Sequence, residues 1–184
     1  MNVYDFDETI YDGDSTVDFV KYSIIHQPKV LIYFPKIAIY GLLFVLKLIP
    51  KLKFKETLYG YFKGINDMDS FVEEYVNKHL SNIKQWYLDN QKEDDVIISA
   101  SPEFIVRNYC EKIGIKYVMA SKVNKYTGKY DGDNCWGEEK VRRFYDMFPN
   151  GIIDNFYSDS YSDTPLAKLA NKAYIVKKNE LKEW

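Results

Sequence analysis

Hydrophobic and polar positions change their period several times along this chain, and each change marks an element. Asn2 to Phe6 reads as a short strand that ends in an acidic turn, Asp7 to Asp14. From Thr16 to about Asn90 the spacing is helical. Within it, Ser70 and Glu73 form a capping box that predicts a helix through His79. Val96-Ile97-Ile98 is apolar and β-branched, with acids before it and small residues after, so it predicts a buried strand. Ser101 and Pro102 then predict a helix start, the serine as N-cap and the proline at the first position, with Gly114 as the stop. Tyr117 to Ala120 is another short strand, and Tyr126 to Gly132 reads as turns between extended pieces. Glu138 to Phe148 is helical, Ile152 to Tyr157 a strand, Thr164 to Asn171 a helix and Ala173 to Val176 a last strand.

Outside residues 13–90, strands alternate with helices. This predicts an α/β fold, a Rossmann-like parallel sheet with helices on both faces. The helical stretch after the first strand is too long for a crossover and reads as an inserted α-helical cap. The expected division is a catalytic core, residues 1–12 and 91–184, and a cap, residues 13–90. In open parallel sheets, ligands bind beyond the carboxyl ends of the strands, so polar residues there are the candidate site.

Composition changes this picture only locally. At 184 residues and 46% hydrophobic content the chain suits one domain, or one core with an insertion. The net charge of −2 gives no bias toward nucleic acid. Charge is unevenly spread: Lys21 to Lys63 holds eight lysines and one acid, Glu56, about +7 in all, which leaves the remainder near −9. Cys110 and Cys135 lack metal-ligand spacing and are expected to be reduced thiols in a cytoplasmic protein. The first residues lack the pattern of a signal peptide. Leu31 to Ile49 comes nearest to a membrane span. Only ten uncharged residues separate Lys36 from Lys47, against the about 20 a span needs, and Pro35 and Pro50 limit the helix. A buried or surface-lying helix is expected there.

Four strand ends carry polar groups. Alternation puts Asp5 and Asp7 on one side of the extended chain with Phe6 opposite. Alone, the pair also reads as a solvated acidic turn, but two close carboxylates repel, and a cation between them removes that cost. The Ser99 hydroxyl and the free amides that follow could cradle phosphate. Lys140 stands in the first turn of its helix, where a cation opposes the helix dipole, so it is either solvent-exposed or aimed at an anion. Asp159 directly follows a buried strand, and its hard oxygens suit Mg²⁺. Asp163 either caps the helix at Pro165 or joins that cluster.

In this order the residues resemble the haloacid dehalogenase-like superfamily of phosphohydrolases. Asp5-Phe6-Asp7-Glu8-Thr9 resembles its first motif, Ser99 the second, Lys140 the third, and Asp159 with Asp163 the fourth. The branch with a small helical cap, similar to phosphoserine phosphatases, is nearest. The resemblance implies that Asp5 is the nucleophile and Asp7 the acid and base. It implies that Mg²⁺ is held by Asp5, the Asp7 carbonyl and Asp159, with Asp163 behind them. Ser99, Ala100 and Lys140 would bind phosphate, and Thr9 would position Asp7. Asp14 lies near where the subfamily places an acidic residue facing substrate.

The expected substrate is a small phosphate ester. Phosphoserine itself is disfavoured, because Arg107, Arg142 and Arg143 all fall outside the cap and leave no arginine for its carboxylate. The cap's aromatic residues, among them Tyr22, Tyr33, Phe34, Tyr40, Phe44, Tyr59, Tyr61 and Phe62, read either as its own core or as part of a surface for anionic lipid. In the second case Leu42, Leu43 and Phe44 would be buried, Lys36 and Lys47 would snorkel, and the substrate would be a lipid phosphate. His26 and His79 are expected to be structural. A phosphotransferase would share the first half-reaction, and a non-catalytic binding protein is disfavoured because every expected position is filled. The oligomeric state is not fixed by the sequence.

Overall fold

The computed structural model describes residues 1–184. Six strands form one sheet: β1 (Asn2–Tyr4), β2 (Val96–Pro102), β3 (Tyr117–Ser121), β4 (Ile153–Ser158), β5 (Ala170–Lys177) and β6 (Glu180–Glu183). Their spatial order is β3-β2-β1-β4-β5-β6. The first five are mutually parallel, and β6 runs antiparallel against β5.

Period-two alternation divides the strand side chains between two cores. Tyr4, Ile97, Val118 and Ala120 enter one cluster, while Val3, Val96, Ile98, Met119 and Phe156 enter the other. The second cluster is closed by α7 (Glu138–Met147) and α8 (Thr164–Ala167) through Phe144 and Leu166. The first is larger. It takes Ile105, Val106 and Tyr109 from α6 (Glu103–Lys112), together with side chains from the five helices between β1 and β2. These are α1 (Ser15–His26), α2 (Phe34–Val45), α3 (Lys51–Leu58), α4 (Met68–His79) and α5 (Gln85–Leu88), linked by short 3-10 turns. The inserted helices therefore share a continuous apolar core with the sheet.

Aromatic residues do much of this packing. Tyr22, Tyr59, Tyr61 and Phe62 are buried in the shared core, and Tyr33 and Phe34 lie against it. Phe44 of α2 stacks on Phe54 of α3 at 5.1 Å. His26 stacks on Tyr22 at 3.9 Å, and His79 lies against Tyr75, which gives both histidines structural roles. Both cysteines are free and buried.

Several local expectations are corrected. Ser70 and Glu73 do not form a capping box; Asp67 caps α4, accepting from the Ser70 amide and hydroxyl. Ser101 does not cap α6, because β2 continues through it to Pro102 and its hydroxyl is drawn to Asp7. The helix expected to Asn171 ends at Ala167, since Ala170 already pairs with Ile153. The sheet is mixed rather than wholly parallel. Strand β6 is exposed at every position, so no apolar alternation announced it.

The junction between insertion and sheet domain is tight at Gly128. This residue turns with φ +72°, and a Cβ there would overlap the Tyr59 carbonyl. Gly128→Ala should therefore cost about 2 kcal/mol or more, combining left-handed strain with the steric clash. Urea denaturation measures it, and an unchanged midpoint would show that the junction gives way freely.

Candidate active site

The spatial order of the strands reverses between β1 and β4, which makes a crevice at their carboxyl ends. The Asp5 amide donates to the Tyr157 carbonyl at 2.8 Å and so ties the end of β1 to β4. Beyond it the chain folds back tightly, with the Phe6 carbonyl accepting from the amides of Thr9, Ile10 and Tyr11. Phe6 is fully buried against Tyr11 and Tyr109, whereas Asp5 and Asp7 remain half-buried at the crevice. Glu8 takes a left-handed φ of 56°, and the buried Lys84 ammonium holds its carbonyl at 2.6 Å.

The two aspartates have different surroundings. Asp5 Oδ1 accepts from the Phe6 amide at 2.8 Å and lies 3.0 Å from Lys140 Nζ, while Oδ2 has no protein donor. Asp7 is held at both oxygens: Oδ1 accepts from the Ser15 amide at 2.6 Å, and Oδ2 from the Ser101 hydroxyl at 2.5 Å. Ser101 was expected only as a cap, and its sequence position gave no sign of this contact. Thr16 lies 3.1 Å from the same hydroxyl.

Ser99 is fully buried within β2, just before its pairing with β3 turns irregular, and its hydroxyl accepts from the Ser101 amide at 3.0 Å. Neighbouring Ala100 directs its carbonyl to the Ser121 hydroxyl and to Lys55 Nζ, both at 3.0 Å. Lys55 comes from α3 and also donates to Asn134. It is a lysine of the inserted helices that reaches this strand end, a long-range contact that no local pattern reveals. Burial, aided by Lys51, lowers its ammonium to about 8, while Asp7 and Asp14 oppose that shift.

Lys140 is not solvent-exposed. It lies in the first turn of α7 at 1% side-chain exposure, between Asp5 at 3.0 Å and Asp163 Oδ2 at 2.7 Å. Burial alone would lower its ammonium, but the two carboxylates hold it above its ordinary value. Asp163 Oδ2 also accepts from the Ser158 hydroxyl, whereas Oδ1 is buried without a partner. Asp159 lies at the end of β4, and its amide donates to the Thr9 hydroxyl at 3.0 Å. Thr9 thus binds the turn after β4 rather than Asp7. Asp14 caps α1, accepting from the Val17 amide at 2.9 Å.

Desolvation dominates the charges here. Burial raises the Asp5 carboxyl to about 7; Lys140 lowers it, and Asp163 and Asp7 add to the rise. Burial and then Asp14 raise Asp7 to about 6, against the hydrogen bonds from Ser101 and Ser15. Burial also raises Asp159. Crowded carboxyls with raised affinity for protons are the condition that a bound cation relieves.

The donor set fits Mg²⁺ in kind. Asp5 and Asp159 offer hard oxygens on either side of the strand reversal, and Asp163 has an orphaned buried oxygen. No three acidic, histidine or cysteine side chains form a ready-made cage, so the Asp7 carbonyl and water would have to complete the shell.

Next to Lys140, Glu139 pairs with Arg142 at 2.6 Å and Arg143 at 2.7 Å, which holds its carboxyl down at about 2. A depressed carboxyl stabilises the fold above its unfolded value near 4.5, and that stability is lost as pH falls through about 2. Glu139→Gln should therefore cost about 1 kcal/mol at neutral pH, after solvent screening, and flatten stability against pH between 4.5 and 2. An unchanged acid limb in chemical denaturation would contradict this. The same arginines line a surface cavity of about 570 Å³ whose walls include neither Asp5 nor Asp7.

Several known proteins are similar to this chain. The model of the haloacid dehalogenase-like hydrolase family matches residues 3–168. A histidinol-phosphatase of Neisseria meningitidis serogroup C (strain 8013) is 26% identical over an alignment of 121 positions that covers 58% of this chain and 54% of that protein. The chain thus spans about half the length of this curated relative. A crystal structure of a protein of unknown function from Bordetella pertussis Tohama I superposes with a TM-score of 0.75 at 16% identity, covering 94% of this chain and 87% of that one. A substrate-bound phosphoserine phosphatase superposes with a TM-score of 0.54 at 18% identity, covering 93% and 82%. At such identities the two structures speak for the fold, while the family model spans nearly the whole chain. This chain belongs to the haloacid dehalogenase-like hydrolase family.

Proposed function

We propose that this chain is a Mg²⁺-dependent phosphomonoesterase that works through an aspartyl-phosphate at Asp5, with residues 13–90 as a cap over the crevice. The observation that carries this reading is the state of Asp5. One oxygen is anchored by the Phe6 amide and Lys140, and the other is uncommitted at the β1–β4 reversal. A carboxylate fixed in this way is oriented for in-line attack, which splits one hard displacement into two easier ones.

In the first step Asp5 Oδ2 forms a bond to phosphorus, the bond from phosphorus to the leaving oxygen breaks, and Asp7 gives its proton to that oxygen. In the second, Asp7 takes a proton from water, the water oxygen bonds to phosphorus, and the Asp5–phosphorus bond breaks. A carboxyl raised to about 6 suits both duties near neutral pH. Lys140 and Ser99 would bind the phosphoryl oxygens and stabilise the charge that develops there. When bound, Mg²⁺ would be held by Asp5, the Asp7 carbonyl and Asp159, with Asp163 behind them, and would neutralise charge on the phosphoryl group.

The leaving group is proposed to belong to a small phosphorylated metabolite. Lys55 supports this, because it brings one cation from the cap to the strand end where an anionic substrate group could be met. A second reading, a phosphate ester carried by lipid, is favoured by the apolar face that α2 leaves uncovered. Hydrolysis of a generic aryl phosphate should stop in EDTA and return with added Mg²⁺. Full turnover in EDTA would contradict the metal dependence, and no turnover under any condition would contradict the activity.

A further inference from the structure

Helix α2 is apolar along most of its length, yet Ile37 is its one buried residue. The helical run Pro28–Val45 is long and apolar enough to cross a membrane by length and composition, and only 11% of it is buried. Ile39, Leu42 and Val45 are exposed by 60, 61 and 75%, and with Leu46 they cover an arc of roughly 120° on one side of the helix. Soluble surfaces rarely leave so continuous an apolar strip without a partner.

The charges around the strip point to that partner. Lys36, Lys47, Lys51 and Lys53 are exposed and none is paired with a carboxylate, although lysines elsewhere, such as Lys112 and Lys125, are paired. Between α2, α3 and the turn at Thr127 lies a cleft of about 330 Å³ walled by Lys36, Lys53, Lys63 and Lys129. Its one acid, Glu56, already accepts from the Tyr130 amide. An exposed apolar strip bordered by unpaired lysines and a cationic cleft complements a surface that is apolar beneath and anionic above.

We propose that the α2–α3 hairpin docks on an anionic lipid bilayer. The apolar face of α2 enters the boundary between headgroups and acyl chains, and the lysines of the cleft bind headgroup phosphates. Helix α3 links this face to the crevice, since Phe54 stacks on α2 while Lys55 reaches Ala100. Docking does not depend on catalysis by Asp5.

The test is co-sedimentation of the purified chain with phosphatidylcholine vesicles, with and without phosphatidylglycerol. Binding should require phosphatidylglycerol and weaken at high salt. Leu42→Glu and Val45→Glu should each weaken it about tenfold or more, and Lys53→Glu about fivefold. These variants should keep the wild-type circular dichroism and hydrolyse a soluble aryl phosphate as before, and Asp5→Asn should bind vesicles like the parent chain. Absence of phosphatidylglycerol-dependent binding, or wild-type binding by Leu42→Glu, would overturn the proposal. So would a stable dimer that Leu42→Glu dissociates, which would assign the face to a second copy. Resistance to alkaline carbonate extraction would replace surface docking with a membrane span.

Discussion

Asp5→Asn should abolish phosphate ester hydrolysis, by about 10³-fold or more in kcat, and leave the protein folded. The amide keeps the shape of the carboxylate but cannot act as the nucleophile. Stability should change little, because burial already disfavours a charge at this position and holds the Asp5 carboxyl near 7. Lys140 also keeps its shorter pair, with Asp163 at 2.7 Å. Steady-state turnover of an aryl phosphate together with urea denaturation separates the two effects. A variant that keeps a tenth or more of the parent activity would remove Asp5 from the mechanism.

Lys140→Met is expected to damage both fold and activity. Its ammonium lies between two carboxylates, and at 1% exposure no water replaces it. Methionine fills similar volume but leaves the Asp163 carboxylate, 2% exposed, without its cation. Losing one partner of a buried ionic cluster costs about 3–5 kcal/mol. Turnover should fall by about 10²–10³-fold as the phosphoryl oxygens lose a preorganised cation. A Met variant as stable as the parent would show that the cluster does not need its charge.

Much of the site was legible because strand geometry is local. Alternation about Phe6 was enough to expect Asp5 and Asp7 together, and both are half-buried where Phe6 is buried, while the run Val96–Ile98 marked β2 but not its length, since the strand runs past Ser99 to Pro102. Lys140 stood out as a cation where a helix start prefers an acid, and the structure buries it between Asp5 and Asp163 instead of exposing it to solvent. What stayed hidden depended on tertiary contacts. Ser101 carries the local signature of a cap, but a carboxylate 94 residues away in sequence takes its hydroxyl. Lys55 looked like one more lysine of a basic helix until the fold brought it to Ala100. Thr9 reached across to Asp159 because β1 and β4 are neighbours, a pairing that no motif spacing encodes. Strand β6 is held by its register with β5 rather than by burial, so its four exposed residues carry no hydrophobic signal.

The covalent step at Asp5 is the centre of this account, and trapping it is the most direct test. Enzyme mixed with Mg²⁺ and an aryl phosphate, quenched in acid during turnover and digested, should yield a peptide carrying one phosphoryl group on Asp5. The adduct should be absent from Asp5→Asn and should disappear when quenching follows exhaustion of the substrate. A phosphoryl group on any other residue, or rapid turnover with no adduct at any quench time, would contradict the account.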